Sequence, residues 1–343
     1  MKALALVGSA ALLMLVGAVG PRAAGCDPVG NIRFVCDQSG PEDLVIVPGT
    51  DWVLSSGMTT SGAIHLVNAK DKTSSILFPS ANAKERPDKK TYNTCPGPID
   101  PAEKDKFRAH GLYLRSGKNS LHTVYLVHHG NRESIEVFEL DGNAKPPVLT
   151  WVGCAVAPDP IGLNSVVGLP DGGFITTNFS PRTQDAAGRG RMMQGENNGE
   201  LWEWHTGSGW KKVPGSEAAG PNGLEISKDG KWLYIGGWGS QSVIRLSRGQ
   251  TPVKKDSVQV GFRVDNVRWG SDNMLLAAGQ GGTAPSQQTS NVAKVDPKTL
   301  KFEEIVRQPY GDVLTAGTVA IQIGKDIWVG SVRGDRIAIF SSN

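Results

Sequence analysis

One pattern recurs six times along this chain of 343 residues. Each copy has a polar residue, an apolar strand-like run, a turn with Gly or Asp, a second apolar run ending in small residues, and a third run. The spacing between copies is 43 to 67 residues, close to one four-stranded blade of a β-propeller. The repeat therefore predicts an all-β, six-bladed β-propeller. The leading residues of the copies are Asp43, His110, Asn164, Asn222, Asp265 and Thr318.

Short strands and tight turns support this architecture. Runs such as SVIRLS and ESIEVFEL alternate apolar and polar residues, and turn dipeptides such as Asp171-Gly172 and Asp229-Gly230 join neighbouring runs. A parallel α/β sheet would need helical crossovers of about a dozen residues, and the sequence contains no convincing one. Charged residues make up 20% of the chain and the net charge is +3, which excludes a polybasic nucleic-acid-binding protein as the leading interpretation.

The N-terminus has the pattern of a secretory signal peptide. Lys2 gives a short positive region, residues 3–19 are apolar, and small residues follow up to Gly25. We expect residues 1–25 to be removed and residues 26–343 to form a single propeller domain, secreted or periplasmic, with no membrane span after cleavage. An uncleaved anchor is the alternative, although the apolar run is at the short edge of what crosses a bilayer. Lipidation at Cys26 is another alternative.

Export would place the four cysteines in an oxidising compartment, where an even number can pair. Three pairings are possible. Cys26 and Cys36 are close in sequence, and Cys95 and Cys154 each have loop-like surroundings, so we favour the disulfides Cys26–Cys36 and Cys95–Cys154. Lipidation of Cys26 would prevent the first. A zinc site is the rival, but the chain has no CxxC or HxxxH spacing.

The leading residues of the repeats predict a metal site. The innermost strand of each propeller blade lines a central channel, so residues that open these strands meet at one mouth of the channel. Carboxylate and amide oxygens there suit calcium, whereas zinc prefers histidine and cysteine. Any single Asn-Gly or Asp-Asn pair is also an ordinary turn or strand start, and only the recurrence favours a metal. The side chains brought together would be Glu42 or Asp43, His110, Asn164, Asn222, and Asp265 with Asn266.

Several stretches of the chain follow one another in a characteristic order: PEDLVIVPG, AHGLYL, YLVHHG with VFEL, GLNSVVGLPDGGFITTNF, GPNGLEISKDGKWLYI, FRVDNVRW and LTAGTVAIQIGKDIWVGSV. In this order they resemble the serum paraoxonase/arylesterase family and, more distantly, the gluconolactonase and strictosidine-synthase-like propellers. The resemblance runs from about residue 41 to residue 340. The short motifs are individually weak, and their order together with the residues at channel positions carries the resemblance.

The resemblance implies roles for these residues. His110 and His129 match a histidine pair that activates a hydrolytic water beside a catalytic calcium. A second, structural calcium would use Asp43, but Ser165 stands where the family has an aspartate, which puts that site in doubt. The family's disulfide between the two ends of the propeller has no counterpart, because no cysteine lies near the C-terminus. The implied ligands of the catalytic calcium are Glu42, Asn164, Asn222, Asp265 and Asn266.

These features together predict an exported, calcium-dependent hydrolase of a small-molecule ester or lactone, with no nucleic-acid partner. The chain has no GxSxG elbow and no phosphate-binding loop. The alternatives are a sugar-lactonase or organophosphate hydrolase with the same metal cage, or a non-catalytic, calcium-stabilised propeller that binds a ligand or protein. The sequence does not bear on the oligomeric state.

The longest irregular insertion spans residues 180–199 and contains GRGRMMQGENNG. We expect it to be a loop above the channel, where Met192 and Met193 could contact an apolar substrate. An ordinary surface loop is the alternative.

Overall fold

Six β-sheets surround a central channel in the computed structural model, which describes residues 25–60, 62–81, 83–100, 103 and 106–341. The prediction of an all-β, six-bladed propeller is confirmed. The predicted signal peptide lies outside the described residues except for Gly25. In the part of the chain that is described, the one α-helix is too short and too polar to cross a membrane, and no other segment forms a membrane-spanning helix.

The first three blades are built from antiparallel strands, ordered from the channel outward. Blade 1 consists of β2 (Pro41–Ile46), β3 (Trp52–Gly57), β4 (Ile64–Asn68) and β5 (Ser74–Phe78). Blade 2 consists of β7 (Arg108–Arg115), β8 (Leu121–His129), β9 (Ser134–Asp141) and β10 (Val148–Val156), and the short β6 (Lys84–Glu85) adds a parallel edge to β10. Blade 3 consists of β11 (Leu163–Gly168), β12 (Phe174–Asn178), β13 (Glu200–His205) and β14 (Gly209–Lys212).

The remaining three blades have the same plan. Blade 4 consists of β15 (Pro221–Ile226), β16 (Trp232–Gly237), β17 (Ser242–Ser247) and β18 (Lys255–Gln259). Blade 5 consists of β19 (Arg263–Trp269), β20 (Leu275–Gly281), β21 (Thr289–Val295) and β22 (Phe302–Pro309). Blade 6 consists of β23 (Gly317–Ile323), β24 (Asp326–Ser331), β25 (Ile337–Ser341) and, outermost, β1 (Ile32–Val35).

The ring is closed by pairing the two ends of the chain. The N-terminal strand β1 pairs with the C-terminal strand β25 from Ile32 opposite Phe340 to Val35 opposite Ile337. The Cys26–Cys36 disulfide brackets β1, since one cysteine precedes the strand and the other follows it. Hydrogen bonds between β1 and β25 therefore close the ring, as a disulfide between the two ends of the chain would. The sequence pattern did not predict this strand pairing.

Both predicted disulfides are confirmed. In the first, the Cα atoms of Cys26 and Cys36 are 6.0 Å apart. In the second, Cys95 in the segment between β6 and β7 is joined to Cys154 on β10, with 5.1 Å between the Cα atoms. This second disulfide ties the long entry segment of blade 2 to its outer strand.

The hydrophobic core is divided into six clusters, and each cluster lies between two neighbouring blades. Between blades 1 and 2, for example, Leu54 and Ile64 pack in one cluster with Phe107, Leu112 and Phe138. Each blade thus buries both of its faces against its neighbours. The result is a rigid ring that fixes the positions of the six innermost strands relative to one another.

The insertion in blade 3 is partly helical, so the expectation of an irregular loop was wrong for its central part. Helix α1 spans Ala186–Met193, and the side chain of Asp185 caps it by accepting a hydrogen bond of 2.7 Å from the Gly188 amide. Within this helix, the side chain of Met192 is buried, whereas Met193 is exposed and lines the cavity at the channel mouth.

Candidate active site

The six leading residues predicted from the repeats all lie on the innermost strands β2, β7, β11, β15, β19 and β23. Each of these strands has an irregular register with its neighbour at or next to the leading residue. An irregular register of this kind bends a strand and redirects its side chains. It explains how Asp265 and Asn266, which are adjacent in sequence, both lie at the site instead of on opposite faces of the sheet.

Four buried oxygen atoms at the channel mouth have no hydrogen-bond partner among the described residues. They belong to four of the five predicted metal ligands and are Glu42 Oε2, Asn164 Oδ1, Asn222 Oδ1 and Asn266 Oδ1. A buried polar atom without a partner is costly, and several such oxygens at one place are typical of a cation-binding site. Carboxylate and amide oxygens are the donors that calcium prefers, so the residues present fit this ion.

The two carboxylates of the site accept hydrogen bonds from side-chain amides. Glu42 Oε1 accepts a hydrogen bond of 2.7 Å from Asn266 Nδ2, and Asp265 Oδ2 accepts one of 2.6 Å from Gln280 Nε2. Burial, with the nearby Asp43 and Asp265 carboxylates, raises the pKa of Glu42 well above its ordinary value, and burial raises the pKa of Asp265 to about 7. A bound divalent cation would offset the cost of holding both groups ionised.

Metal binding here would depend on the asparagines. Among the described residues, no group of three or more His, Cys, Asp and Glu side chains has an arrangement that could hold a metal ion. The site instead supplies the carboxylates of Glu42 and Asp265 and the amide oxygens of Asn164, Asn222 and Asn266. These five residues are called the donor set below. This donor chemistry suits a hard cation with many oxygen ligands and is unsuited to zinc.

The two predicted catalytic histidines form a hydrogen-bonded series, and His110 is the member that lies beside these oxygen donors. His110 Nδ1 is 2.8 Å from His129 Nε2, and His129 Nδ1 is 2.8 Å from Glu133 Oε2. The other oxygen, Glu133 Oε1, accepts a hydrogen bond of 2.7 Å from the Leu163 amide, which fixes the carboxylate. His110 Nε2 faces the donor set and lies 3.7 Å from Glu42 Oε2.

This series determines where the protons lie. In the state with one proton on each ring, His129 Nδ1 donates to the Glu133 carboxylate and His129 Nε2 accepts from His110 Nδ1. His110 Nε2 is therefore left without a proton. Burial, together with the nearby His129 and Arg108, lowers the pKa of His110 well below its ordinary value, so that the ring is neutral at pH 7.

The neighbouring His128 lies on the other face of β8, as expected for consecutive strand residues. It is fully buried, and its ring centroid is 5.0 Å from that of Phe107 in the cluster between blades 1 and 2. Burial is the main cause that lowers the pKa of His128 to about 3. The prediction that only one histidine of this pair faces the channel is confirmed.

Asp43, the residue implied for a second metal, is paired with a cation of the chain itself. Its carboxylate forms a buried ion pair with Arg268, and it accepts hydrogen bonds of 2.7 Å from the Leu112 amide and 2.8 Å from the Leu44 amide. The same guanidinium donates to the Leu112 carbonyl at 2.8 Å. Ser165 uses its hydroxyl to accept from the Leu224 amide at 3.1 Å and makes no contact with Asp43 among those described.

A cavity of about 940 Å³ lies above the donor set. Asn266 lies behind Glu42 and not in the cavity wall. One location thus contains His110 Nε2, the unpartnered oxygens and an open space for a small molecule. The arrangement can hold a cation and a carbonyl compound next to a base. The predicted residues that line the cavity are Glu42, His110, Asn164, Asn222 and Asp265.

The sequence patterns missed four residues that support this site: Glu133, Arg268, Gln280 and Trp238. Glu133 is four residues after His129, in the turn that follows HHG, and that spacing was the one available signal. Gln280 lies on the second strand of blade 5 and Trp238 follows the second strand of blade 4, where the repeat pattern marks no functional position.

No protein-family model matches the chain, and no curated protein matches it significantly. Solved structures do. The chain is similar to a luciferin-regenerating enzyme, with a TM-score of 0.55, 12% identity, and 90% of this chain and 93% of the other covered. It is also similar to a protein assigned as a gluconolactonase, with a TM-score of 0.52, 14% identity, and 93% and 94% covered.

A third similar structure is the calcium-binding protein regucalcin from Agrobacterium tumefaciens, with a TM-score of 0.52, 12% identity, and 90% of this chain and 92% of the other covered. The chain has the propeller fold of these proteins. The expected likeness to gluconolactonase-type propellers is thus confirmed at the level of the fold, over nearly the whole described chain.

Proposed function

We propose that this protein is an exported, calcium-dependent hydrolase of small-molecule esters or lactones. One observation carries the proposal: Glu42, Asn164 and Asn222, each with a buried oxygen that has no hydrogen-bond partner among the described residues, line one cavity together with His110. A purely structural channel would leave these oxygens unsatisfied at a considerable cost in free energy. The solved structures with this fold include a calcium-binding protein and a protein assigned as a gluconolactonase, which agrees with the proposal.

A divalent cation held by Glu42, Asp265 and the three asparagines would supply positive charge that polarises the substrate carbonyl. His110 Nε2 accepts a proton from water as the water oxygen attacks the carbonyl carbon. The bond to the leaving alkoxy oxygen then breaks, and that oxygen takes the proton from His110. His110 is neutral at the start and at the end, which its lowered pKa favours.

His129 and Glu133 act as positioning residues. They hold His110 in the tautomer with a free Nε2, and the Glu133 carboxylate stabilises the positive charge that spreads over the two rings when His110 is protonated. Loss of Glu133 would leave the geometry of His110 less defined and its protonated form less stable. The hydrogen bond from the Leu163 amide links this carboxylate to the innermost strand of blade 3.

We further propose one metal ion for each chain and a location outside the cytoplasm. At the second position implied by the resemblance, Arg268 already neutralises Asp43, so the chain needs no second cation there. Two disulfides, one of them across the strand that closes the ring, suit an oxidising compartment.

The test is hydrolysis of phenyl acetate, a γ- or δ-lactone, an acyl-homoserine lactone and paraoxon, with calcium and after chelation. Turnover should be lost on chelation, and His110→Gln should lower kcat by about 10²- to 10⁴-fold while calcium binding persists. His205→Gln is the matched control, because His205 lies on the third strand of blade 3, paired with Glu203. It should leave turnover unchanged.

The same experiment separates the alternatives. Turnover of paraoxon alone would favour an organophosphate hydrolase, and turnover of sugar lactones would favour a sugar-lactonase. A folded protein that binds calcium by calorimetry but hydrolyses none of the panel would overturn the hydrolase proposal in favour of a calcium-stabilised binding propeller.

A further inference from the structure

The cavity above the donor set has an unbalanced charge. Its lining contains two acidic residues, Glu42 and Asp265, and both belong to the donor set. It also contains three arginines, Arg189, Arg263 and Arg333. One divalent cation would neutralise the two carboxylates and leave three positive charges around the space that a substrate would occupy.

Arg263 is the arginine that the structure holds in place. Its guanidinium lies 4.5 Å from the centroid of the Trp238 ring, and its Nη1 donates to the Trp238 carbonyl at 3.3 Å. Trp238 Nε1 in turn donates to Gln280 Oε1 at 2.9 Å, and Gln280 Nε2 donates to Asp265 Oδ2 at 2.6 Å. A continuous series of contacts therefore fixes Arg263 relative to the donor set.

No carboxylate pairs with Arg189, Arg263 or Arg333 within the described parts of the chain. Other arginines differ: Arg248, for example, binds Glu203 at 2.7 Å on the outside of the propeller. A guanidinium held on an aromatic ring without an anionic partner is suited to bind an anionic group of a ligand.

We propose that the substrate is an ester or lactone that carries an anionic group, a carboxylate or a phosphate, and that Arg263 binds this group while Arg189 and Arg333 attract it. This inference rests on the proposed hydrolase function. The rings of Phe179, Trp238 and Tyr310 also line the cavity and would contact the apolar part of the substrate. Arg189 lies on helix α1, so the insertion in blade 3 takes part in substrate recognition.

The kinetic test compares two substrates that differ only in charge: the γ-lactone 5-oxotetrahydrofuran-2-carboxylate and its carboxamide. The wild type should prefer the acid by about tenfold or more in kcat/KM, and Arg263→Gln should abolish most of this preference by lowering kcat/KM for the acid far more than kcat/KM for the amide. Arg86→Gln, at an exposed arginine paired with Glu139 on the outer side of blade 2, is the matched control and should change neither.

A second test reads binding without turnover. Calorimetry on the calcium-loaded protein should show that benzoate and phenyl phosphate bind, that benzamide binds less tightly, and that Arg263→Gln and 0.5 M NaCl remove the difference. Tighter binding of benzoate than of phenyl phosphate indicates a carboxylate substrate, and the reverse indicates a phosphate. Arg333 is exposed, so Arg333→Gln removes one positive charge from the cavity without disturbing the fold. It should reduce the difference in affinity between the anions and benzamide by less than Arg263→Gln does.

The two proposals fail in different ways. If neutral and anionic lactones are hydrolysed equally well and Arg263→Gln changes neither, the anion inference is overturned while the hydrolase function stands. If no lactone or ester is hydrolysed but anion binding depends on Arg263, the hydrolase function is overturned and the anion site stands. Benzoate, phenyl phosphate and benzamide binding equally well would overturn the anion site in either case.

Discussion

Glu42 and Asp43 are adjacent on the same innermost strand, yet their carboxylates have opposite surroundings. Glu42 keeps one buried oxygen without a partner, as do the three asparagines Asn164, Asn222 and Asn266 of the same site. Asp43 has a guanidinium and two backbone amides on its carboxylate. The comparison shows that the channel neutralises the Asp43 carboxylate with its own Arg268 and provides no such partner for Glu42, where the proposed function would place a cation from solution.

The largest effect should come from removing that internal cation. Arg268→Gln leaves the buried Asp43 carboxylate unpaired, and we expect it to lower the free energy of unfolding by about 3 to 5 kcal/mol. Urea denaturation with excess chelator measures this. Arg33→Gln, at the more exposed pair of Arg33 with Asp326, is the control and should cost less than about 1 kcal/mol.

The double variant Asp43→Asn, Arg268→Gln sharpens this prediction. Because it removes both charges together, it should recover much of the stability that Arg268→Gln loses. Equal stability of Arg268→Gln and the wild type would show that Asp43 does not depend on its guanidinium partner, and the contrast with Glu42 would then fail.

The second prediction concerns the pH dependence of stability and follows from a third buried acid near Arg268. Burial raises the pKa of Glu225 from its ordinary value near 4.5 to about 7, although Arg268 acts in the opposite direction. The unfolded chain releases this proton near pH 4.5 and the folded chain only near pH 7. The contribution of Glu225 is therefore fully present below about pH 4.5 and is lost as the pH rises to about 7.

Glu225→Gln should remove this dependence. The pKa difference corresponds to at most about 3 kcal/mol, so the unfolding free energy of the variant should fall less than that of the wild type between pH 5 and pH 7.5. Chemical denaturation at several pH values with excess chelator is the measurement. Parallel curves for variant and wild type would show that the proton on Glu225 is not coupled to folding.

The contrast between the two carboxylates also marks what the sequence could predict. The repeat spacing locates the start of each innermost strand, and a propeller brings those starts together wherever they lie in the chain. That is why residues as distant in sequence as Glu42, His110 and Asp265 line one cavity, as the repeat predicted. The outermost strand β1 was not predicted, because pairing of the two chain ends leaves no periodic signal.

The residues that decide the chemistry around these positions were harder to predict. Arg268 lies 225 positions from Asp43, and nothing in the local pattern of FRVDNVRW indicates that its side chain reaches across the channel. Gln280 and Trp238 are on or just beyond second strands, where the repeat marks only apolar and small residues. A side chain that acts through a distant partner is visible only when the six blades are assembled.

The smallest predicted effect concerns the metal site proposed at the channel mouth. Calorimetry with calcium should give one equivalent bound for each chain, and Asn222→Ala should weaken binding by about tenfold or more, because Asn222 Oδ1 is one of the unpartnered oxygens. Asn197→Ala is the control, since Asn197 is exposed in the blade 3 insertion.

Asp43→Asn should keep the stoichiometry at one. Two equivalents in the wild type, with the second lost in Asp43→Asn, would mean that calcium displaces Arg268 from Asp43, and the two carboxylates would then both depend on a metal.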